Sequence, residues 1–252
     1  MRILISNDDG ITSPGLYALY SYMKQIGLVH VVAPEAEQSA TGHAITLEYP
    51  LRVKDYAMED GFIAHAVTGT PADCTKIALR ALLPEKPDIL ISGINRGANL
   101  GVSVIYSGTV SAATEGCILG IPSIAISLTS FKSVDYEVAG TFAVELVQWV
   151  FKNSLPKGVL LNVNIPAVSK EQIQGVKVTR LSRSRFEEFF DKRVDPQGRV
   201  YYWLSGNVLE SSTEADLDDN ANKKNYITVT PLHFDLTAKE YLDHFKAVEK
   251  IY

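Results

Sequence analysis

Through the first two thirds of the chain, short apolar runs alternate with longer stretches in which apolar residues recur every three or four positions. Ile3-Leu4-Ile5 opens the series as a β-rich run. Leu16, Leu19, Tyr20, Met23 and Ile26 then mark one face of an amphipathic helix, with Pro14 suited to its first turn. Val29–Ala33 reads as a second strand closed by Pro34, followed by a polar loop from Glu35 to Gly42 and two or three extended pieces up to Val67. Thr70 before Pro71 predicts a capped helix start, with the helix running to about Leu83. Beyond it the pattern predicts a buried strand at Asp88–Ser92, a helix at Ser107–Leu119, a strand at Pro122–Ser127 and a helix at Asp135–Lys152.

This alternation predicts an α/β fold: a Rossmann-like, doubly wound, mainly parallel sheet with helices on both faces. Such sheets bind ligands beyond the carboxyl ends of their strands. Three polar clusters fall at those ends, namely Asn7-Asp8-Asp9, Gln38-Ser39 and Gly93-Ile94-Asn95. Loops distant in sequence are therefore expected to converge on one crevice.

From about Val176 the pattern changes. Val176–Arg180 is extended, and Arg199–Trp203 reads as half of a hairpin that turns at Asp195-Pro196-Gln197-Gly198. Glu210–Lys224 reads as a polar, mobile loop, Tyr226–Thr230 as a last strand and Thr237–Tyr252 as a terminal helix. The expected organisation is one α/β domain over residues 1–252, with a core to about 175 and a C-terminal extension over 176–252. Periodicity leaves two roles open for that extension: an appended subdomain, or an arm reaching a second subunit.

Composition narrows the function classes. A chain of 252 residues, 46% hydrophobic and 21% charged, can bury a sizeable core. Its formal net charge of −5 argues against a nucleic-acid coat or a binder of anionic membranes, since both need basic surface. A small phosphorylated ligand stays open, because one pocket can be locally positive. No run approaches the ~18 apolar residues of a membrane span. Cys74 and Cys117 lie far apart and predict buried, reduced thiols, which makes the cytoplasm the default location.

The adjacent carboxylates of Asp8 and Asp9 pose the first chemical question. Unit charges about 4 Å apart repel by about 1 kcal/mol in water and by about 4 kcal/mol at an effective dielectric of about 20. Either the pair is solvated in a turn, for which Asn, Asp and Gly are favoured residues, or a cation sits between them. Two hard oxygens at the end of a first strand suit Mg²⁺, Mn²⁺ or Ca²⁺ better than zinc. Asn95 supplies an amide that could complete such a shell, and Arg96 a guanidinium that could offset phosphate charge; their bland alternatives are a turn residue and a solvated side chain.

Ser107-Gly108-Thr109 opens a helix of small residues. Unpaired N–H groups at a helix start bind phosphate, Gly108 permits close approach, and the hydroxyls add donors. An ordinary Ser/Thr cap explains the same residues without a ligand. The chain lacks the Gly-Lys-Ser/Thr ending of the nucleotide triphosphatase loop and has no Gly-x-Ser-x-Gly elbow. His43 lies near the expected crevice and could donate protons, although a lone His is more often structural.

Taken in order, ILISNDDG at 3–10, GTPADC at 69–74, SGINRGANLG at 92–101, YSGTVSAATEG at 106–116 and ITVTPL at 227–232 resemble one family. It is the survival-protein-E family of metal-dependent 5′(3′)-nucleotidases, also described as acid phosphatases, and the resemblance runs from end to end. It implies a shell of Asp8, Asp9, Ser39 and Asn95 around one divalent metal ion per subunit, Mg²⁺ or Mn²⁺, with Ca²⁺ a candidate in crystals. It also implies a phosphate site at Ser107, Gly108 and Thr109, a nucleoside monophosphate substrate, and homodimers or homotetramers with exchanged C-terminal segments. Two positions depart from the family pattern: Ala40 stands where many members have Gly, and the usual Gly-Thr-Asp is blurred into Glu214-Ala215-Asp216. Two further mechanisms fit the residues: a covalent phosphatase with Asp8 as nucleophile and Asp9 as acid/base, and a metal-dependent nucleotide sensor without turnover.

Overall fold

Ile3 and Ile5 pack into one hydrophobic core while Leu4, between them, packs into another. That alternation is what a strand covered on both faces requires. The structure, a computed structural model, describes residues 1–132, 135–209 and 213–251. Its first strand, β1, spans Arg2–Ser6 and leads into helix α1, Pro14–Met23. Strands β2 (Leu28–Pro34), β3 (Val53–Ala57) and β4 (Ile63–Val67) follow, then helix α2, Pro71–Ile77. Next come β5 (Ile89–Arg96), α3 (Gly108–Ile118), β6 (Ser123–Leu128), α4 (Glu137–Asn153) and β7 (Val159–Ile165). The remaining elements are β8 (Val176–Val178), β9 (Arg185–Val194), β10 (Val200–Leu209), α5 (Asp218–Lys223), β11 (Ile227–His233) and α6 (Leu242–Phe245).

The described residues build a nine-stranded sheet in the order β3-β4-β2-β1-β5-β6-β7-β11-β8. From β4 to β7 every pairing is parallel; β3 runs antiparallel to β4, and β11 antiparallel to β7. Leu16 and Leu19 of α1 and Ala139 and Val147 of α4 cover the face that holds Ile3, Ile91 and Ile126. Cys74 of α2 and Val110, Ala113 and Cys117 of α3 cover the opposite face against Leu4, Leu90 and Ala125. The doubly wound α/β fold expected from the sequence is therefore present. Because β1 is followed in sequence by its neighbour on one side and pairs with β5 on the other, the strand order reverses between β1 and β5. A crevice opens at such a switch point.

Several local expectations are revised. Strand β7 was not anticipated, because buried Asn162 and Asn164 interrupt its apolar run. The helix expected from Thr70 to Leu83 is capped by Thr70 as expected, but after Ile77 it continues as a π-helix over Ala78–Leu82. The strand expected at 88–92 extends to Arg96 through a register shift between Ser92 and Asn95.

The polar stretch 210–224 contains helix α5, whose Asp218 is fully buried; residues 210–212 of that stretch lie outside the described residues. The terminal helix over 237–252 is replaced by 3₁₀ turns at Lys239–Tyr241 and Lys246–Lys250 flanking the four-residue α6, and Tyr252 lies outside the described residues. Among the described side chains none of those turns has a buried residue, and short helices without a packed face are marginal in water. The hairpin turns where expected, with the Gly198 N–H donating to the Asp195 carbonyl at 2.9 Å.

Candidate active site

Asp8 and Asp9 leave the carboxyl end of β1 and meet the start of α3. Asp8 is 6% exposed, and its Oδ1 accepts a hydrogen bond from the Thr109 hydroxyl. A Cβ placed on Gly108 would lie 2.6 Å from the Asp8 Cβ and 2.9 Å from its Oδ2. Only glycine permits that approach, so Gly108 is the reason the carboxylate can sit in the mouth of the helix. Burial pushes the Asp8 carboxyl above its ordinary range, while the Thr109 hydroxyl and the backbone N–H groups of Thr109 and Gly108 pull it back.

Asp9 is half-buried and is pushed up to about 6, first by burial and then by the Asp8 charge. The Arg96 backbone N–H, donating to Asp9 Oδ2 at 3.2 Å, and the Arg96 charge oppose that rise. Asn95, the residue before, is buried and donates from Nδ2 to the Gly97 carbonyl at 2.9 Å, which leaves its Oδ1 for another partner. Asp8 and Asp9 share an enclosed crevice with no lysine or histidine bonded to either among the described residues.

Ser107 caps α3, its Oγ accepting from the Val110 N–H at 3.1 Å. The bland reading of Ser107 as a helix cap is therefore correct, and it leaves the Gly108 and Thr109 N–H groups facing Asp8. Ser39 lies on the loop after β2 and is exposed; its hydroxyl donates to Glu37 Oε1 at 2.6 Å. The preceding Gln38 anchors that loop, its N–H donating to the Asp8 carbonyl at 2.8 Å. Ala40 takes φ +57°, the left-handed region that favours the glycine found there in the family pattern.

The residues at the crevice suit a hard divalent cation. Asp8, Asp9, Asn95 and Ser39 offer oxygen donors only, and two of them are carboxylates whose protonation is favoured by burial. Buried Ser6 Oγ, Asn7 Oδ1 and Ser92 Oγ, grouped at the adjoining ends of β1 and β5, have no hydrogen-bond partner among the described residues. Among the described residues no group of three or more His, Cys, Asp or Glu forms a candidate metal site.

A family model for survival protein SurE matches residues 3–188. The chain belongs to the SurE family. Among the family's curated members, the 5′-nucleotidase SurE of Syntrophobacter fumaroxidans is 50% identical over 96% of this chain and 97% of its own. The 5′-nucleotidase SurE of Thermosipho melanesiensis is 48% identical over 96% and 95%. The crystal structure of the SurE protein from Aquifex aeolicus superposes with a TM-score of 0.85 at 40% identity, covering 99% of this chain and 100% of that one.

Three further polar groups support the crevice and escaped sequence reasoning. Glu115 of α3 is 2% exposed and bonds His43 Nε2 at 2.9 Å and Lys76 Nζ at 2.5 Å. His43 is thus held against α3 by its hydrogen bond to Glu115. Asn99 is clasped by Asn162 and Asn164, whose amides donate to its carbonyl at 2.8 and 3.0 Å, which fixes the loop that leads to Ser107. Asp218 accepts from the Gly101 N–H at 2.8 Å and the Ser182 N–H at 2.8 Å. The local signal for Asp218 was an acidic pair before a short helical pattern, two residues beyond the Asp216 that the family pattern suggested. Asp216 is exposed and pairs with Arg180 instead.

Proposed function

We propose that the chain is a divalent-metal-dependent 5′-nucleotidase, a phosphoric monoester hydrolase that converts nucleoside monophosphates, 5′ in the first place, to nucleoside and inorganic phosphate. The observation that carries this reading is the contact of Asp8 with Gly108 and Thr109, which puts a carboxylate pair and a helix start in one crevice. The curated relatives named 5′-nucleotidase support the reaction class.

Asp8, Asp9, Ser39 and Asn95 are the residues that would hold one Mg²⁺ or Mn²⁺, which when bound offsets phosphate charge and lowers the pKa of water. The start of α3, with Ser107, Gly108 and Thr109, would hold the phosphoryl oxygens through N–H and hydroxyl donors. Arg96 adds positive charge at the rim. Asp9, held among the described residues only by the Arg96 N–H where Asp8 is tied to Thr109 and the helix start, is the carboxylate placed to take a proton from an attacking water. Asp8 is committed to Thr109 and to the helix start, which favours an orienting role over that of a nucleophile.

The reading extends to assembly and location. The β9–β10 hairpin forms a separate two-stranded sheet, with Phe190, Tyr202, Trp203 and Leu204 exposed, as a C-terminal arm that seats on a second copy would require. A homodimer or homotetramer is the assembly proposed. Among the described residues no helix is long and apolar enough to cross a membrane, and Cys74 and Cys117 are buried free thiols, in keeping with the cytoplasm.

Phosphate release from a panel of nucleoside monophosphates, after chelation and with Mg²⁺ or Mn²⁺ restored, tests the proposal. Release should require metal and fall by about 10²–10³ in Asp8→Asn. Folded wild-type protein that binds nucleotide with metal but releases no phosphate would establish a sensor, and a trapped phosphoenzyme would establish the covalent route.

A further inference from the structure

Beside the crevice lies a second concavity, a cleft of about 470 Å³ lined by Glu35, Gln38, Thr46, Tyr49, Thr68 and Thr70 among others. Its size falls within the ~300–1,000 Å³ typical of small-molecule sites. Two of its walls are continuous with the candidate active site. Gln38 donates its N–H to the Asp8 carbonyl, and Thr70 precedes Pro71, whose Cγ lies 3.1 Å from the position a Gly108 Cβ would take. A phosphate held at α3 would therefore have this cleft next to it.

The cleft's polar groups divide into spent and unspent. The Thr46 hydroxyl donates to Asp73, the Thr70 hydroxyl donates to the Ala44 carbonyl, and the Thr68 hydroxyl accepts from the Arg52 N–H. Glu35 is paired with Lys54. Two groups remain: the Gln38 amide, whose side chain makes no hydrogen bond among the described residues, and Tyr49, which is 74% exposed and makes none either. An amide offers one acceptor and two donors, and an exposed aromatic ring offers a face for stacking. Together they suit a flat heterocycle with a mixed donor and acceptor edge.

We propose that this cleft is the nucleoside subsite, in which the base stacks on Tyr49 and its polar edge meets the Gln38 amide. The inference deepens the nucleotidase reading and rests on it for the placement of the phosphate. Gln38 can turn its amide to present either a donor or an acceptor, so all four common bases are accepted with modest preference. Discrimination comes from stacking rather than from a fixed hydrogen-bond pattern.

The test compares AMP, GMP, CMP and UMP with ribose 5-phosphate, which carries the same ester and no base. Base stacking on an aromatic side chain is worth about 1–3 kcal/mol by alanine substitution, or about 5- to 150-fold. Tyr49→Ala should lower kcat/KM for the nucleotides relative to ribose 5-phosphate by that factor, chiefly through KM, and Tyr49→Phe should restore the ratio. Titration of adenosine alone, followed by calorimetry, should show binding that weakens by a similar factor in Tyr49→Ala.

An unchanged ratio overturns the subsite. So does adenosine binding that is absent, or that is indifferent to the substitution. If no phosphomonoester is hydrolysed at all, the activity reading fails, and the adenosine titration still decides the subsite.

Discussion

Glu115 shows how one residue can be set by partners that lie far off in sequence. Burial alone would push its carboxyl up, but the hydrogen bonds and charges of His43 and Lys76 outweigh that effect and hold it below its ordinary value of 4.5. A carboxyl depressed in the folded state stabilises the fold fully above the unfolded value, and that contribution fades as pH falls through the folded one. Glu115→Gln should therefore lower the unfolding free energy at pH 7 by about 1.5–3 kcal/mol, the worth of hydrogen bonds to a charged group. The deficit should shrink below about pH 4. Urea unfolding at pH 7 and pH 3.5 reads both parts, and an equal deficit at the two pH values would contradict the assignment.

Residues such as Asp8, Asp9, Asn95 and Thr109 were legible in the sequence because strand ends and a helix start announce themselves locally. Glu115 was not, since its meaning lies in His43 and Lys76, 72 and 39 positions away.

At the scale of elements, apolar periodicity recovered β1, β2 and β6, whose sides alternate between the two cores, and α1, α3 and α4, each of which turns one apolar face to a single core. It missed β7 and α5 for a shared reason. Their polar residues are buried and bonded to groups distant in sequence, Asn162 and Asn164 to the Asn99 carbonyl and Asn222 to the Asn164 carbonyl, so they read as breaks or as solvated loop. Asp218 of α5 is the sharpest case, because its two oxygens accept N–H groups from Gly101, Ser182 and Asp219.

An amide at position 218 would have to turn a donor toward one of those donors. Asp218→Asn should cost about 1–3 kcal/mol, the penalty for an unsatisfied buried group. Hydrogen exchange at the Gly101 or Ser182 amide should accelerate with it. Unchanged protection at both would show that α5 is held by other contacts.

For the whole molecule, the sheet core is closed by helices on both faces while the β9–β10 ribbon stands apart with apolar side chains on both sides. Phe190 faces Leu204 across the ribbon and Asp191 faces Trp203, so neither face is reserved for the interior. An isolated two-stranded ribbon is marginally stable in water, and the assembly proposed above would cover it with a second copy. Trp203→Glu should shift the protein from dimer or larger toward monomer in sedimentation velocity at equal concentration. A wild-type monomer would remove the argument. The sequence exposed the hairpin through its Asp195–Gly198 turn, but periodicity within one chain does not encode what a second copy would supply.

Strand β8 has a consequence for how the molecule is made. Among the described residues it joins the sheet only through β11, which sits between it and β7. While the polypeptide emerges from the ribosome, Val176 and Val178 have no place to dock until Ile227–Val229 has been synthesised. The parallel block from β4 to β7 can assemble as it appears, since its partners are all upstream. Closure of the far edge is instead deferred until β11 has been synthesised, and until then Val163 and its neighbours on β7 form an open edge for chaperones to shield.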